Sequence, residues 1–179
     1  MRLTAEGSFF VIKKYAWALI LLGSFLSACG YRFAGGGSLP SGITSISVEM
    51  FENRTGETGV ENIITNDLIY EFTRHEQVVV TGSDTADAIL TGVVQSISER
   101  AISHTGEYTS NERRVELKLD LQLTDRTGGI IRSAKAISGN EAYKVSSTKQ
   151  GTELNKKVAI KTLSKRLAEN IFNRLTVDF

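Results

Sequence analysis

The side chains that could carry out chemistry in this chain are few. The sequence has one cysteine, Cys29, and two histidines, His75 and His104. A cysteine can act as a nucleophile or as an attachment point, and a histidine beside a carboxylate can act as a general base. Glu76 follows His75 and Glu107 lies near His104, but two groups do not make a metal site. These residues alone do not indicate an enzyme.

Two further patterns that could indicate catalysis have simpler explanations. Asp84 and Asp87 could act as paired carboxylates, yet they flank a turn and are typical turn residues. The chain also has no glycine-rich loop followed by Lys and Ser or Thr, the pattern that binds nucleotide phosphates. We therefore predict a protein that is not an enzyme and that holds no cofactor and no metal ion.

The residues that precede Cys29 are typical of an export signal. Basic residues occur within positions 2–14, an apolar run covers positions 15–25, and small residues follow. A transmembrane helix needs about 20 apolar residues, so this shorter run is expected to be removed rather than to span a membrane. Residues 26–29 read Leu-Ser-Ala-Cys and resemble the lipobox of bacterial lipoproteins. The resemblance implies that residues 1–28 are a signal peptide.

Cys29 is, in this interpretation, the site of covalent lipid attachment. Each buried methylene contributes about 0.8 kcal/mol, so two or three acyl chains would hold the protein on a membrane. Gly30 follows, where an aspartate would disfavour sorting to the outer membrane in enterobacterial lipoproteins. The alternative is a small buried thiol or an ordinary secretory signal. No second cysteine exists, so a disulfide within the mature chain is excluded.

The charge of the mature chain is close to neutral. Without Arg2, Lys13, Lys14 and Glu6, the 21 basic and 20 acidic residues become 18 and 19, a net charge of −1. Such a balance gives no indication of a nucleic-acid partner, and affinity for anions must come from local clusters. Residues 29–42 are rich in glycine and predict a lipidated N-terminus with a short flexible tether, followed by one domain over residues 43–179.

The spacing of apolar residues predicts the secondary structure of this domain. Apolar and polar residues alternate most regularly over 115–124, which predicts a strand with one buried face. A final helix over 151–175 presents Leu154, Val158, Leu163, Leu167, Ile171 and Leu175 along one stripe. The other predicted segments are a strand over 43–51, a helix over 57–74, a β-rich stretch over 78–102 and a strand over 130–145.

This order of elements predicts an α+β fold. Two helices with one apolar face each can pack on a sheet with one apolar face, and the apolar faces then bury each other in a two-layer sandwich. We expect the two helices on one face of a roughly four-stranded sheet, in which the last three strands form an antiparallel meander. The first strand could join either edge of the meander.

Four short motifs occur in a fixed order along the chain: Cys-Gly-Tyr-Arg-Phe at 29–33, Leu-Pro-Ser-Gly-Ile at 39–43, the turn at 51–55, and Ala-Asp-Ala-Ile-Leu at 86–90. Together they resemble the LptE family of lipopolysaccharide-assembly lipoproteins. The resemblance implies an outer-membrane lipoprotein on the periplasmic side or within the lumen of a large β-barrel of the LptD kind. It further implies help in assembling that barrel and binding of lipopolysaccharide during its export.

Lipopolysaccharide carries phosphates and carboxylates, which arginine and lysine bind well. Arg114 is an even-numbered residue, like the polar residues of the 115–124 strand, and is expected on its polar face. Arg113 is odd-numbered, like Val115, and is expected at the rim of the sheet. The polar face over 116–124 suits a polar barrel lumen, although any solvated sheet face has the same character. The candidate contacts are Arg100, Arg113, Arg114, Arg132 and Lys135.

A different class of envelope lipoprotein is the main alternative. Residues 48–55 followed by a helix also resemble the start of lipoproteins in the LpoB and CsgG group, which activate peptidoglycan synthases or act in secretion. An activator must reach across the periplasm. The thirteen residues between Cys29 and Ile43 can span only about 45 Å. The tether thus argues against an activator, but not against a secretion or scaffold role.

Overall fold

The computed structural model describes residues 39–40, 42–75, 78–102 and 112–176. The predicted signal peptide and Cys29 lie outside these residues, as do Glu76, His104 and Glu107. Among the described residues, no helix has both the length and the apolar character needed to cross a membrane. Leu39 is already buried in the core, although the sequence places it in the tether.

A sheet of six strands forms one layer of the domain. Its strands are β1 (Ser45–Val48), β2 (Glu52–Asn53), β3 (Val79–Val80), β4 (Ala88–Ile102), β5 (Glu112–Asp125) and β6 (Ile130–Lys144). The order is β3-β1-β4-β5-β6, with β2 paired to β4. The antiparallel meander is formed by β4, β5 and β6, as predicted, and β1 joins it in parallel at β4. The sequence missed β2, because two residues are too short to show an alternation, whereas β3 lies at the start of the predicted β-rich stretch over 78–102.

Two helices form the second layer and cover one face of the sheet. They are α1 (Val60–Arg74) and α2 (Lys149–Thr176), which confirms the predicted two-layer α+β architecture. The helices contact each other through Phe72 and Phe172, whose ring centroids lie 5.2 Å apart. Ser164 donates a hydrogen bond to the carboxylate of Asp67 across the same interface.

The core lies between β5 and the helices. Val115, Leu117, Leu119, Leu121 and Leu123 are all buried, as their alternation predicted, so the residues between them point away from the helices. We call that outward side of β4, β5 and β6 the open face, because no helix of the described residues covers it. It holds the polar positions of β5.

The predicted apolar stripe of the last helix is wrong at its start. Leu154 is 62% exposed and Val158 is 58% exposed, whereas the stripe from Leu163 onward is buried. The inward position in the first turns belongs instead to Lys156, whose ammonium group meets two carboxylates beneath the helix. Met50 lies within the predicted strand over 43–51 but is exposed, and the observed strand ends at Val48.

Candidate functional site

The open face carries two arginines directly opposite each other. Arg100 on β4 pairs in register with Arg114 on β5. Like charges in this arrangement repel, which disfavours the pairing unless a negative group lies near. Glu116 is the nearest such group, at 3.9 Å from Arg100, but it also pairs with Lys118 at 3.3 Å. Among the described residues Arg114 has no ion pair, so this spot carries excess positive charge.

A bulge in β4 brings Arg100 to the open face. The register shifts between Val94 and Ser96, so Gln95 is an extra residue, and its side-chain amide donates to Asp120 at 2.8 Å. One inserted residue reverses which side chains face the helices. Beyond the bulge the even-numbered residues of β4 up to Arg100 therefore lie on the open face.

Arg113 lies on the other side of the sheet, within a cluster of charged groups. The Lys156 ammonium of α2 lies 2.7 Å from Glu57 and 2.8 Å from Glu99. Tyr143 donates a hydrogen bond to Glu99, and Arg113 lies 3.9 Å from the same carboxylate. These contacts fix the end of the β4–β5 hairpin, which carries Arg100 and Arg114, onto the helix layer.

Hydrogen bonds within this cluster shift the pKa values of Lys156 and Glu99. Burial works against the charged form of Lys156, but the hydrogen bonds with Glu57 and Glu99 outweigh it and raise the lysine pKa. The hydrogen bond from Lys156, followed by that from Tyr143, lowers the pKa of Glu99. Lys156 and Glu99 are therefore both charged at neutral pH, and the cluster acts as a structural clamp.

The two remaining predicted contacts lie apart from the arginine pair. Lys135 lines a shallow depression of about 440 Å³ on the open face, together with Asp120 and Gln122. The backbone N–H of Ala136 donates to Asp120 at 2.7 Å and lowers the pKa of that carboxyl. Arg132 lies on the helix side, where it donates to the carbonyl of Arg174 at 3.3 Å. The structure thus brings together only Arg100 and Arg114, and all five residues stay predictions as ligand contacts.

Asp87 has a role that the sequence did not reveal. Its carboxylate accepts hydrogen bonds from the backbone and hydroxyl groups of both Thr44 and Ser45, at 2.8 to 3.1 Å. The Ser45 hydroxyl makes the largest contribution and Thr44 follows, and together they lower the pKa of Asp87 to about 2. Arg126 adds an ion pair at 3.1 Å. Asp87 ties β1 to the start of β4 and is a structural residue.

His75 is also structural. Its ring stacks on Phe172 with centroids 4.0 Å apart, and its Nε2 lies 3.3 Å from Glu71. No group of three or more His, Cys, Asp or Glu side chains within the described part of the chain could hold a metal ion. The arrangement at His75 therefore explains the residue by packing rather than by chemistry.

Comparison with known proteins identifies the chain's relatives. Residues 43–175 match the family model described as LptE, Lipopolysaccharide-assembly. No curated protein matches the sequence significantly. Uncharacterized lipoprotein B from Nitrosomonas europaea has a similar structure, with 16% identity and a TM-score of 0.56 over 82% of this chain and 90% of that one. A protein from Xanthomonas campestris is similar at 12% identity and a TM-score of 0.51, over 77% and 86%. At these identities the structural likeness concerns the fold alone.

Proposed function

The chain belongs to the LptE family of lipopolysaccharide-assembly lipoproteins, and on that basis we propose that it partners a large outer-membrane β-barrel of the LptD kind. In this role the domain occupies the barrel lumen, helps the barrel to assemble, and binds lipopolysaccharide as it is exported. The protein acts without catalysis and is held at the membrane by lipid on Cys29. The family match over residues 43–175 is the single observation that carries this proposal.

The open face suits a barrel lumen. The lumen of such a barrel is polar, so a protein inside it needs a polar surface and keeps its apolar residues for its own core. Glu116, Lys118, Asp120, Gln122 and Thr124 supply this surface on β5, while the leucines between them are buried. Both described helices lie on the opposite side of the sheet, so no described helix covers these polar residues.

The Arg100–Arg114 pair suits an anionic ligand. A phosphate or carboxylate between two opposed guanidinium groups would accept hydrogen bonds from both and remove their mutual repulsion. Arg100 is well exposed, with 76% of its side chain accessible, so a ligand can approach the pair from solvent. The clamp formed by Lys156, Glu99 and Tyr143 holds the hairpin that presents the pair. These features make Arg100 and Arg114 the best-supported contacts of the five.

Depletion of the protein in its own cells tests the proposal. We expect less lipopolysaccharide at the cell surface and less mature barrel when the protein is depleted, because the barrel needs it both to assemble and to work. The control is a strain that re-expresses the wild-type chain. Unchanged surface lipopolysaccharide together with unchanged barrel maturation would remove the basis of the proposal.

A further inference from the structure

Helix α2 carries a strong excess of positive charge. Its 28 residues include seven basic and two acidic side chains. Lys157, Lys161 and Lys165 follow one another at intervals of four and are all exposed, so they form one row along the helix. Like charges at this spacing disfavour a helix.

Three cations of α2, namely Lys156, Arg166 and Arg174, have partners among the described residues, whereas the middle of this row has none and neither has Lys149 at the start of the helix. Arg166 pairs with Glu141, and Lys156 pairs with Glu57 and Glu99. Within the described part of the chain, Lys157 and Lys161 make no hydrogen bond and no ion pair. Lys165 differs slightly, because it lines a depression that also contains Asp67, Glu71 and Glu169. The unmatched charge is therefore centred on Lys157 and Lys161.

Two exposed aliphatic side chains lie on the same face as these lysines. Leu154, Lys157, Val158 and Lys161 are spaced i, i+3, i+4 and i+7, the spacing of one helix face. We call these four residues the α2 patch. Leu154 and Val158 are more than half exposed, and Val158 borders a groove against the edge strand β6. The patch combines apolar contact area with positive charge that has no partner among the described residues, so a partner with acidic side chains would complement it.

The composition of the patch favours an acidic protein over a membrane surface. A helix that inserts into a membrane interface needs a broad free apolar face, but the apolar face of α2, with Ile160, Leu163 and Leu167, is buried in the core. A purely electrostatic attachment to anionic lipid commonly uses four to eight clustered cations, more than this row provides. A protein surface with acidic side chains can form an ion pair with each lysine and bury the two aliphatic residues.

We infer that the α2 patch is the surface through which the domain docks onto acidic side chains of its protein partner. This inference rests on the proposed function, in which that partner is the wall of the barrel. The patch and the open face lie on opposite sides of the domain. Docking through α2 therefore leaves Arg100 and Arg114 accessible to the ligand, so one side of the domain holds the barrel and the other contacts lipopolysaccharide.

The test uses charge variants of the full-length lipoprotein, expressed in its own envelope and purified in mild detergent. The variants are Lys157→Gln with Lys161→Gln, the corresponding Glu pair, and the corresponding Arg pair as the charge-preserving control. The readout is the amount of barrel that copurifies per lipoprotein. We expect a several-fold loss with the Gln pair, a larger loss with the Glu pair, and wild-type recovery with the Arg pair. Circular dichroism of each variant checks that the domain stays folded.

Three results would overturn the inference. Equal barrel recovery with the Glu pair would exclude the patch as the docking surface. A Glu pair that keeps the barrel but loses binding to purified lipopolysaccharide, or to vesicles containing phosphatidylglycerol, would assign the patch to a lipid instead. If the wild-type protein brings down no barrel, the proposed function fails and the inference fails with it. The two failures can be told apart. If only the inference fails, the wild type and the Glu pair recover the barrel equally.

Discussion

Arg100 and Arg114 face each other across two antiparallel strands on the side of the sheet that the described helices leave uncovered. Glu116, the carboxylate that pairs with Arg100, is shared with Lys118. Like charges directly opposite each other disfavour strand pairing, and the anionic ligand proposed above would remove this repulsion.

Replacing both arginines by glutamine should therefore weaken lipopolysaccharide binding without weakening the fold. Loss of charged hydrogen bonds to the ligand should lower the affinity by about tenfold or more. Titration of the purified protein with lipopolysaccharide measures this. Lys149→Gln with Lys165→Gln is the matched control, because it removes the same charge from exposed positions of α2, in the helix layer on the other side of the sheet. An equal loss of affinity in both double variants would contradict a role for the Arg100–Arg114 pair.

Lys156→Met should destabilise the domain. The lysine side chain is only 13% exposed, and its removal leaves Glu57 and Glu99 with only the more distant Arg113, 3.9 Å from Glu99, as a counter-charge. We expect a loss of about 1–3 kcal/mol, less than for a fully buried pair, in the free energy of unfolding measured with urea. Adding Glu57→Gln and Glu99→Gln to Lys156→Met should restore part of the lost free energy of unfolding. No recovery in the triple variant would show that packing, rather than charge, explains the loss.

Asp87 should make the stability depend on pH in acid. Its pKa falls from 3.8 in the unfolded reference to about 2 in the folded protein, so its contribution is present above about pH 4 and disappears as the pH falls through about 2. The Asp87→Asn variant should have a lower melting temperature than wild type at neutral pH. Between pH 4 and 2 its melting temperature should fall less than that of wild type. Asp84→Asn, at an exposed turn position, is the control. Parallel curves for wild type and Asp87→Asn would contradict this role.

Gly92→Ala should also destabilise the fold. A Cβ atom at Gly92 would lie 2.2 Å from the buried ring of Phe51, which packs directly over this position of β4. Because the ring has little room to move, we expect a loss of about 1–3 kcal/mol in the free energy of unfolding. Gly56→Ala meets no atom within 4 Å and should be close to neutral. Equal stability of the two variants would mean that Phe51 can repack.

The sequence predicted the parts of this fold that have a long, regular pattern. The alternation of β5 located the buried leucines and placed Arg114 on the polar face. The pairing of Arg114 with Arg100 could not be predicted, because it depends on the bulge at Gln95 and on the register between two strands. Similarly, the apolar spacing of Leu154 and Val158 gave no sign that Lys156 would turn inward, since its carboxylate partners come from distant parts of the chain.

The most direct test of the account is a mild-detergent pulldown of the full-length lipoprotein from its own envelope, with the copurifying proteins identified by mass spectrometry. The proposed function predicts a large outer-membrane β-barrel in stoichiometric amount. A peptidoglycan synthase or a secretion component, without such a barrel, would contradict the account and favour the alternative class of envelope lipoproteins.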